Sequence, residues 1–274
     1  MKYNFLNTSI SNLYTKPSSK AEVSSQITYG EKFRILSRQK SWLKIKTCYD
    51  NYVGFIKNSN FKKKFKPVKK VCKLKAKIYK KVKKNFLPTN HFLYFASGIT
   101  VINKNKAFVQ FEDNKWLRNK DLREITHFEK NYKKILKLFL NSKYKWGGKT
   151  ADGIDCSALI QIYYYYNRIF FPRDSKDQAK YCKKKISKNL SEGDIIFWKG
   201  HVGMCLNKHK FIHALGPRKK VVIMPTKSTI MLIDKTAKLN IIKISNIKKY
   251  KFLPKSGLLV SCFNLTILDL TFLV

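Results

Sequence analysis

The chain has 274 residues, 44% of them hydrophobic and 14% aromatic, which is enough to bury a core and to form about two domains. Its 58 Lys and Arg residues against 16 Asp and Glu give a formal net charge of +42 at pH 7. This composition excludes a disordered chain. Because the lysines are spread along the whole length, the charge predicts a cationic surface that adheres to polyanions without a specific nucleic-acid partner.

The N-terminal segment is polar, and it has no charged and then apolar leader ahead of a small-residue cleavage site. We therefore expect a cytoplasmic protein. The cysteines are scattered without a C-x-x-C pair, which predicts reduced thiols. They are Cys48, Cys72, Cys156, Cys182, Cys205 and Cys262.

Short β runs separated by turn residues fill the first 124 residues, and this spacing is typical of small barrels. A lysine-rich linker, KKKFKPVKK at 62–70, divides them into two groups. We predict two small barrels, residues 1–61 and 62–124, with one larger irregular β domain as the alternative. The strongest runs are 32–37, 42–47 and 52–57 in the first group, and 74–79, 92–97, 99–102 and 107–112 in the second.

A helical period begins near Ile125, with apolar residues on one stripe over 128–142. The Trp146-Gly147-Gly148 sequence interrupts it, and a second helix is predicted over 157–166. Four strand-like segments follow after Pro172. A helix packed on an antiparallel sheet predicts an α+β domain over residues 125–256. The strand-like segments are 193–198, 201–206, 210–215 and 221–225.

The last segment, residues 257–274, is almost wholly apolar but contains Asn264 and Asp269. It is shorter than the roughly 20 apolar residues that cross a bilayer. A packed or disordered tail is favoured over membrane contact, and its role is left unassigned. No oligomeric state is predicted.

Cys156 directly follows an aspartate and precedes an apolar helical pattern. Unpaired N–H groups and the positive end of the helix dipole favour a thiolate at a helix N-terminus. His201 and His213 lie in strands joined by a turn at 207–209, so antiparallel pairing places them opposite or diagonal to one another. The three residues predict a cysteine hydrolase, with a nucleophile, a base and a group that orients the base.

A zinc site is the alternative reading of the same segment. His201, Cys205, His209 and His213 recur every four residues and would form a metal-binding stripe on a helix. Val202-Gly203 and the apolar run before them favour strands instead. We therefore expect no metal and no cofactor.

Several segments between residues 133 and 225 together resemble the NlpC-type family of cell-wall cysteine peptidases, whose catalytic domain has a papain-like core. The resemblance implies that Cys156 is the nucleophile, that His201 is the base and that His213 orients it. The segments that carry the resemblance are YKWGG (144–148), DGIDCSALIQ (152–161), PRDSKDQ (172–178), EGDIIFW (192–198), HVGM (201–204) and FIHA (211–214).

The resemblance also implies roles for neighbouring residues. Tyr144 would bind the developing oxyanion or position the substrate. Asp155 and Ser157 would lie beside the free amine of the substrate, where a carboxylate suits a cation. Arg173 would pair with the α-carboxylate of a D-glutamyl residue. Asp155 also suits a helix N-cap.

The N-terminal half is similar to the bacterial SH3-like barrels that precede this peptidase in the branch that recycles murein peptides. There, a barrel tyrosine closes the pocket around an N-terminal L-alanine, and Tyr52 stands nearest to that position. Glu31 is a second candidate for the same amine. The family commonly has glycine where Asn51 stands, and a core role for Tyr52 is the alternative.

Together these features predict an endopeptidase that hydrolyses the γ-D-glutamyl–diamino acid bond of short murein peptides with a free N-terminal L-Ala. The substrate peptide is the only partner expected. The alternative is a non-catalytic module that binds the cell wall or polyanions on a decayed peptidase fold.

Overall fold

The computed structural model describes residues 3–59, 61–187 and 189–247. Three units follow one another along the chain: a first β unit (4–57), a second β unit (69–124) and a third unit (132–246) that combines helices with an antiparallel sheet. The predicted α+β class is confirmed. The apolar segment 257–274 lies outside the described residues.

The first β unit is one antiparallel sheet with the strand order β1-β4-β5-β6-β2-β3. Alternating apolar side chains point inward, and Leu13, Phe33, Leu43 and Ile45 are fully buried. The alternation predicted at 32–37, 42–47 and 52–57 therefore produces three neighbouring strands. Its strands are β1 (Asn4–Phe5), β2 (Ile10–Tyr14), β3 (Val23–Thr28), β4 (Lys32–Gln39), β5 (Trp42–Thr47) and β6 (Val53–Lys57).

The second β unit has a three-stranded sheet, β10-β7-β14, beside a five-stranded sheet, β11-β12-β13-β8-β9. The long hairpin of β8 and β9 extends the predicted runs at 74–79 and 92–97. A short 3-10 turn at Asn119–Asp121 precedes β14. The strands are β7 (Lys69–Val71), β8 (Lys75–Val82), β9 (Asn85–Tyr94), β10 (Gly98–Ile99), β11 (Asn103–Lys104), β12 (Phe108–Glu112), β13 (Lys115–Arg118) and β14 (Leu122–Glu124).

The third unit is a five-stranded sheet, β20-β19-β18-β17-β21, with α2 packed on one face and α4 on the other. Val202, Met204 and Ile212 meet α2, whereas Trp198 and Phe211 meet α4. The elements are α1 (Tyr132–Leu138), β15 (Lys149–Thr150), β16 (Gly153–Ile154), α2 (Cys156–Tyr166), α3 (Ser175–Tyr181), β17 (Asp194–Trp198), β18 (His201–Cys205), β19 (Lys210–Leu215), β20 (Lys220–Pro225), α4 (Thr226–Ala237) and β21 (Ile241–Asn246).

The first predicted helix is shorter than its apolar stripe suggested. α1 begins after Asn131, whose side chain accepts the N–H of Lys134, and it ends before Phe139. Phe128 and Leu140 lie outside the helix and are exposed. The N-cap therefore sets the start of α1, and the period alone placed it too early.

Across the described ranges, no helix combines the length and the apolar character that a bilayer-spanning segment needs. Five of the six cysteines fall within these ranges and are free thiols.

Candidate active site

Cys156 is the first residue of α2, the helix that packs on the sheet of the third unit. The β15–β16 hairpin lies directly before this helix in the chain. The Asp155 side chain caps α2 by accepting the N–H of Ala158 at 2.8 Å. The Cys156 thiol accepts hydrogen bonds from the backbone N–H groups of Ser157 and Val202. The second of these comes from β18, so the sulfur lies next to the strand that carries His201.

His201 begins β18 and His213 lies inside β19. The register pairs Met204 with Ile212 and Cys205 with Phe211, which makes the two histidines diagonal neighbours. His201 Nε2 and His213 Nδ1 are 2.9 Å apart. The segment forms two strands, so the four residues considered for zinc do not line one helix face.

Gly203 makes room for this histidine pair. A Cβ atom at this position would lie 2.4 Å from the Phe211 ring and 2.9 Å from the His213 Cβ. Real Cβ atoms do not approach so closely, and only glycine fits between β18 and β19 here. Sequence reasoning assigned no packing role to the glycine of the HVGM segment, and its position within a strand that pairs with β19 was the available signal.

The hydrogen bond between the imidazoles fixes which nitrogen can act as a base. If His201 donates its Nε2–H to His213 Nδ1, its own Nδ1 is unprotonated and can take a proton from the Cys156 thiol. The opposite tautomer would occupy Nδ1 with a proton and block that role. For His201 to act as a base, His213 Nδ1 must accept the hydrogen bond from His201 Nε2–H. His213 then carries its own proton on its buried Nε2.

The resting groups are neutral. Burial, and after it the charge of Asp155, raises the pKa of the Cys156 thiol to about 12. Burial lowers the pKa of His201 to about 4 and that of His213 to about 3. The expected resting thiolate is thus not what this environment favours, because desolvation and a neighbouring carboxylate outweigh the helix N-terminus. For the sulfur to act as a nucleophile, a base must first remove its proton, and His201 is the predicted base.

Asp155 and Arg173 form a buried ion pair behind the nucleophile, with Nη2 and Oδ2 2.6 Å apart. The Asp155 carboxylate also accepts the N–H of Gly147 and the hydroxyl of Ser157. The remaining guanidinium N–H groups reach the Ser157 hydroxyl, the Gly148 carbonyl and the Ser25 hydroxyl at 2.9, 3.3 and 3.0 Å.

This pairing gives Asp155, Ser157 and Arg173 partners within the protein, and the substrate contacts expected of them stay predictions. All five N–H groups of Arg173 are donated within the protein, so none is left for a substrate carboxylate. Asp155 is the anion that Arg173 binds, and Ser157 completes the network. Their positions next to Cys156 make them supports for the nucleophile and its helix.

The first β unit reaches into the same region. Gln26 accepts the N–H of Lys149 at 2.9 Å, and Glu31 pairs with the Lys149 ammonium at 3.2 Å with both side chains only 2% exposed. Glu31 also accepts the hydroxyl of Tyr165. The contact of Glu31 with a substrate amine stays a prediction, and in this structure its carboxylate is buried and paired with the Lys149 ammonium group.

Tyr52 lies closer to the open part of the site. Its hydroxyl donates to the Ser24 carbonyl at 3.4 Å and interacts with the Asp174 carboxylate. Burial raises its pKa to about 12, with Asp174 as the next cause. Tyr52 also packs against the core of the first β unit, as the alternative core role predicts, and its contact with a substrate stays a prediction.

Asp174 was missed by sequence reasoning. It follows Arg173 and is the N-cap residue of α3, but its side chain caps no helix N–H. Burial raises its pKa, whereas Arg173 and the Tyr52 hydroxyl lower it. An acidic residue directly after the arginine of PRDS was the signal. It supplies a half-buried carboxylate that has no salt-bridge partner within ion-pair distance in the described ranges.

Tyr144 lies on the opposite side of the nucleophile, before the β15–β16 hairpin. It bridges to Ile154, and its ring faces Gly216. Burial raises its pKa to about 12, and the charges of Cys156 and Asp155 act in the same direction. The phenol is therefore a protonated hydrogen-bond donor close to the sulfur.

Two family models match the chain. Residues 141–238 match the NlpC/P60 family, and residues 13–61 match the bacterial dipeptidyl-peptidase SH3 domain. The first match covers Cys156, both paired histidines and Arg173. The second covers the first β unit from Leu13 onward, including Tyr52.

Individual relatives span both regions. Dipeptidyl-peptidase 6 of Lysinibacillus sphaericus is 27% identical over 75% of this chain and 84% of its own length. The γ-D-glutamyl-L-lysine dipeptidyl-peptidase of Bacillus subtilis is 24% identical over 76% and 77%. A crystal structure of an NlpC/P60 family protein from Bacillus cereus superposes with a TM-score of 0.69 at 19% identity, covering 82% of this chain and 94% of that one. The last comparison shows a shared fold.

Proposed function

We propose a substrate for this chain, which carries a bacterial dipeptidyl-peptidase SH3 domain and an NlpC/P60 family domain and is a peptidase of that family. The substrate is a short murein peptide with a free N-terminal L-Ala, and the bond cleaved is the one between γ-D-glutamate and the diamino acid. A relative named γ-D-glutamyl-L-lysine dipeptidyl-peptidase supports this choice of bond.

One observation carries the requirement for a free amine. Tyr52 of the SH3 domain meets Asp174, a half-buried carboxylate whose hydrogen-bond partner in the site is that neutral hydroxyl. Asp155 and Glu31 are each paired with a buried cation, which leaves Asp174 to receive the ammonium group of the substrate. A peptide still attached to glycan has no such ammonium group.

The reaction follows from the tautomer and the positions of the side chains. His201 Nδ1 takes the Cys156 proton as the sulfur attacks the γ-carbonyl carbon, and His213 accepts the hydrogen bond of His201 Nε2–H. The Cys156 backbone N–H and the Tyr144 hydroxyl donate to the oxyanion. His201 then protonates the leaving amine as the C–N bond breaks. Water hydrolyses the thioester and releases L-Ala-γ-D-Glu.

A free-amine requirement restricts the enzyme to peptides that have already been cut from the wall. Such fragments support a role in recycling murein peptides and, with it, action in the cytoplasm. Both belong to the proposal.

The test is hydrolysis of L-Ala-γ-D-Glu-L-Lys, of its diaminopimelate counterpart and of the N-acetylated lysine peptide, followed by mass spectrometry. We expect the dipeptide L-Ala-γ-D-Glu from the two free-amine substrates and at least about tenfold slower cleavage of the acetylated one, since a charge-assisted contact is lost. Cys156→Ala should abolish turnover, whereas Cys72→Ala, a half-buried thiol in the second β unit, should not. Equal rates for the two variants would exclude the mechanism.

A further inference from the structure

A cavity of about 440 Å³ lies where the three units meet, apart from the nucleophile. Its walls come from the SH3 domain, the 62–70 linker, the second β unit and the C-terminal end of α2. α2 runs for 11 residues from Cys156 to Tyr166, so the cavity lies about 15 Å from the nucleophile along the helix. A volume of this size is in the range of small-molecule sites.

Lys70 supplies a buried cation in the wall of this cavity. Its side chain belongs to a residue that is only 2% exposed. The ammonium group donates to the His127 carbonyl at 2.7 Å and to the Tyr166 carbonyl at 2.6 Å, and it lies 4.1 Å from the centre of the Tyr166 ring. These partners are neutral. Within the part of the chain that the structure describes, no carboxylate lies within ion-pair distance of Lys70 Nζ.

The surroundings increase the need for a counter-ion. Arg168, a second cation, lines the cavity, and burial followed by this charge lowers the pKa of Lys70 to about 7. Glu31 is the acidic residue of the lining, and its carboxylate is bound to Lys149. A buried ammonium group without an anion is costly, and a bound anion would remove that cost.

The rest of the wall is aromatic. The rings of Tyr49, Phe65, Tyr165 and Tyr166 border the space, and Tyr49 and Tyr165 pack edge to face with centroids 4.8 Å apart. Rings of this kind accept a flat, apolar group. The cavity thus combines an ammonium group that has only neutral partners with walls that suit an aromatic ring.

We propose that this junction cavity binds a small aromatic anion, with its charged group on Lys70 and its ring among the tyrosines. The site is separate from the catalytic centre, and it does not depend on the proposed substrate. Because its walls come from three units, a bound anion also holds the SH3 domain against α2.

The test is isothermal titration with phenyl sulfate, whose single charge does not change near neutral pH. The comparison ligands are benzyl alcohol, which has the ring without the charge, and inorganic sulfate, which has the charge without the ring. We expect saturable 1:1 binding of phenyl sulfate, with each comparison ligand at least about tenfold weaker. Phenyl sulfate should also raise the Tm of the wild-type protein more than inorganic sulfate at the same concentration.

Three variants assign the site. Lys70→Met should weaken phenyl sulfate binding about 10-fold or more, whereas Lys84→Met, which removes an exposed lysine of the second β unit, should leave it within twofold. Lys70→Met is expected to fold, since an apolar side chain replaces a buried charge. Lys70→Arg keeps the cation and should retain binding. Unchanged binding to Lys70→Met would mean adsorption to the cationic surface and would overturn the proposal, as would no binding to the wild type at millimolar phenyl sulfate.

Discussion

Replacing Gly203 by alanine should separate catalytic geometry from folding. The added Cβ would lie 2.4 Å from two carbons of the Phe211 ring and 2.9 Å from the His213 Cβ. Ordinary van der Waals contact begins near 3.4 Å, so β18 and β19 must move apart by about 1 Å at this point. The contact between His201 and His213 is now 2.9 Å, and the same movement would break it.

The expected loss can be estimated from this displacement. Misplacing a catalytic group by about 1 Å can cost on the order of 100-fold in rate. Overpacking a well-filled region costs about 1–3 kcal/mol of stability, which this domain should survive. We therefore expect kcat/KM for Gly203→Ala to fall about 100-fold, while the protein remains folded. Peptide hydrolysis and urea unfolding measure the two effects on the same preparation.

Gly216→Ala is the matched control. A Cβ at Gly216 would lie 3.8 Å from the Tyr144 ring, an ordinary contact, and Gly216 has no positive φ. Its kcat/KM should stay within threefold of the wild-type value. If Gly203→Ala kept wild-type kcat/KM and stability, the explanation of this glycine as the space for the histidine pair would be refuted.

Three further outcomes are expected. Asp174→Asn should lower kcat/KM for the free-amine peptide by about 10–100-fold, because a charged contact is lost, and should leave kcat/KM for the N-acetyl peptide almost unchanged. An equal fall for both peptides would contradict the contact of Asp174 with the substrate ammonium group. Protonated His201 cannot accept the Cys156 proton, and the pKa of His201 is lowered to about 4, so kcat/KM should be lost only as the pH falls through about 4. A midpoint of this loss between about pH 6 and 7 would contradict a buried pair of neutral histidines. Arg173→Met should lower the free energy of unfolding by about 3–5 kcal/mol in urea, since the Asp155 carboxylate stays buried without its cation; a loss below about 1 kcal/mol would show that water reaches it.

The parts of the fold that local pattern determines were predicted well. The alternation at 42–47 predicted the strand β5, and the segments around His201 and His213 predicted the strands β18 and β19. Their diagonal pairing followed from strand geometry and the turn between them. α2 begins at Cys156, one residue before the predicted range of 157–166, because the Asp155 side chain caps it. Each of these depends on residues that are close in sequence.

The parts that depend on distant partners were not predicted. Arg173 donates to Ser25, which is 148 residues away, and Lys149 pairs with Glu31 across 118 residues. Composition and spacing show that a charged residue is present, but not which opposite charge will reach it first. In this structure these charges form internal ion pairs, and the substrate roles expected for them stay predictions. The pKa of Cys156 was misjudged for the same reason, because its burial results from tertiary packing.

These long-range pairs indicate that the catalytic site is not complete within the third unit alone. Gln26 and Glu31 of the SH3 domain hold Lys149, the residue that opens the hairpin leading to Cys156. Ser25 holds Arg173, which in turn neutralises the carboxylate that caps the catalytic helix. Without these contacts, a buried arginine and a buried lysine would each lose an acceptor, and the hairpin would lose its anchor. The SH3 domain therefore supports the hairpin and the helix that position the Cys156 thiol, and it also places Tyr52 beside Asp174.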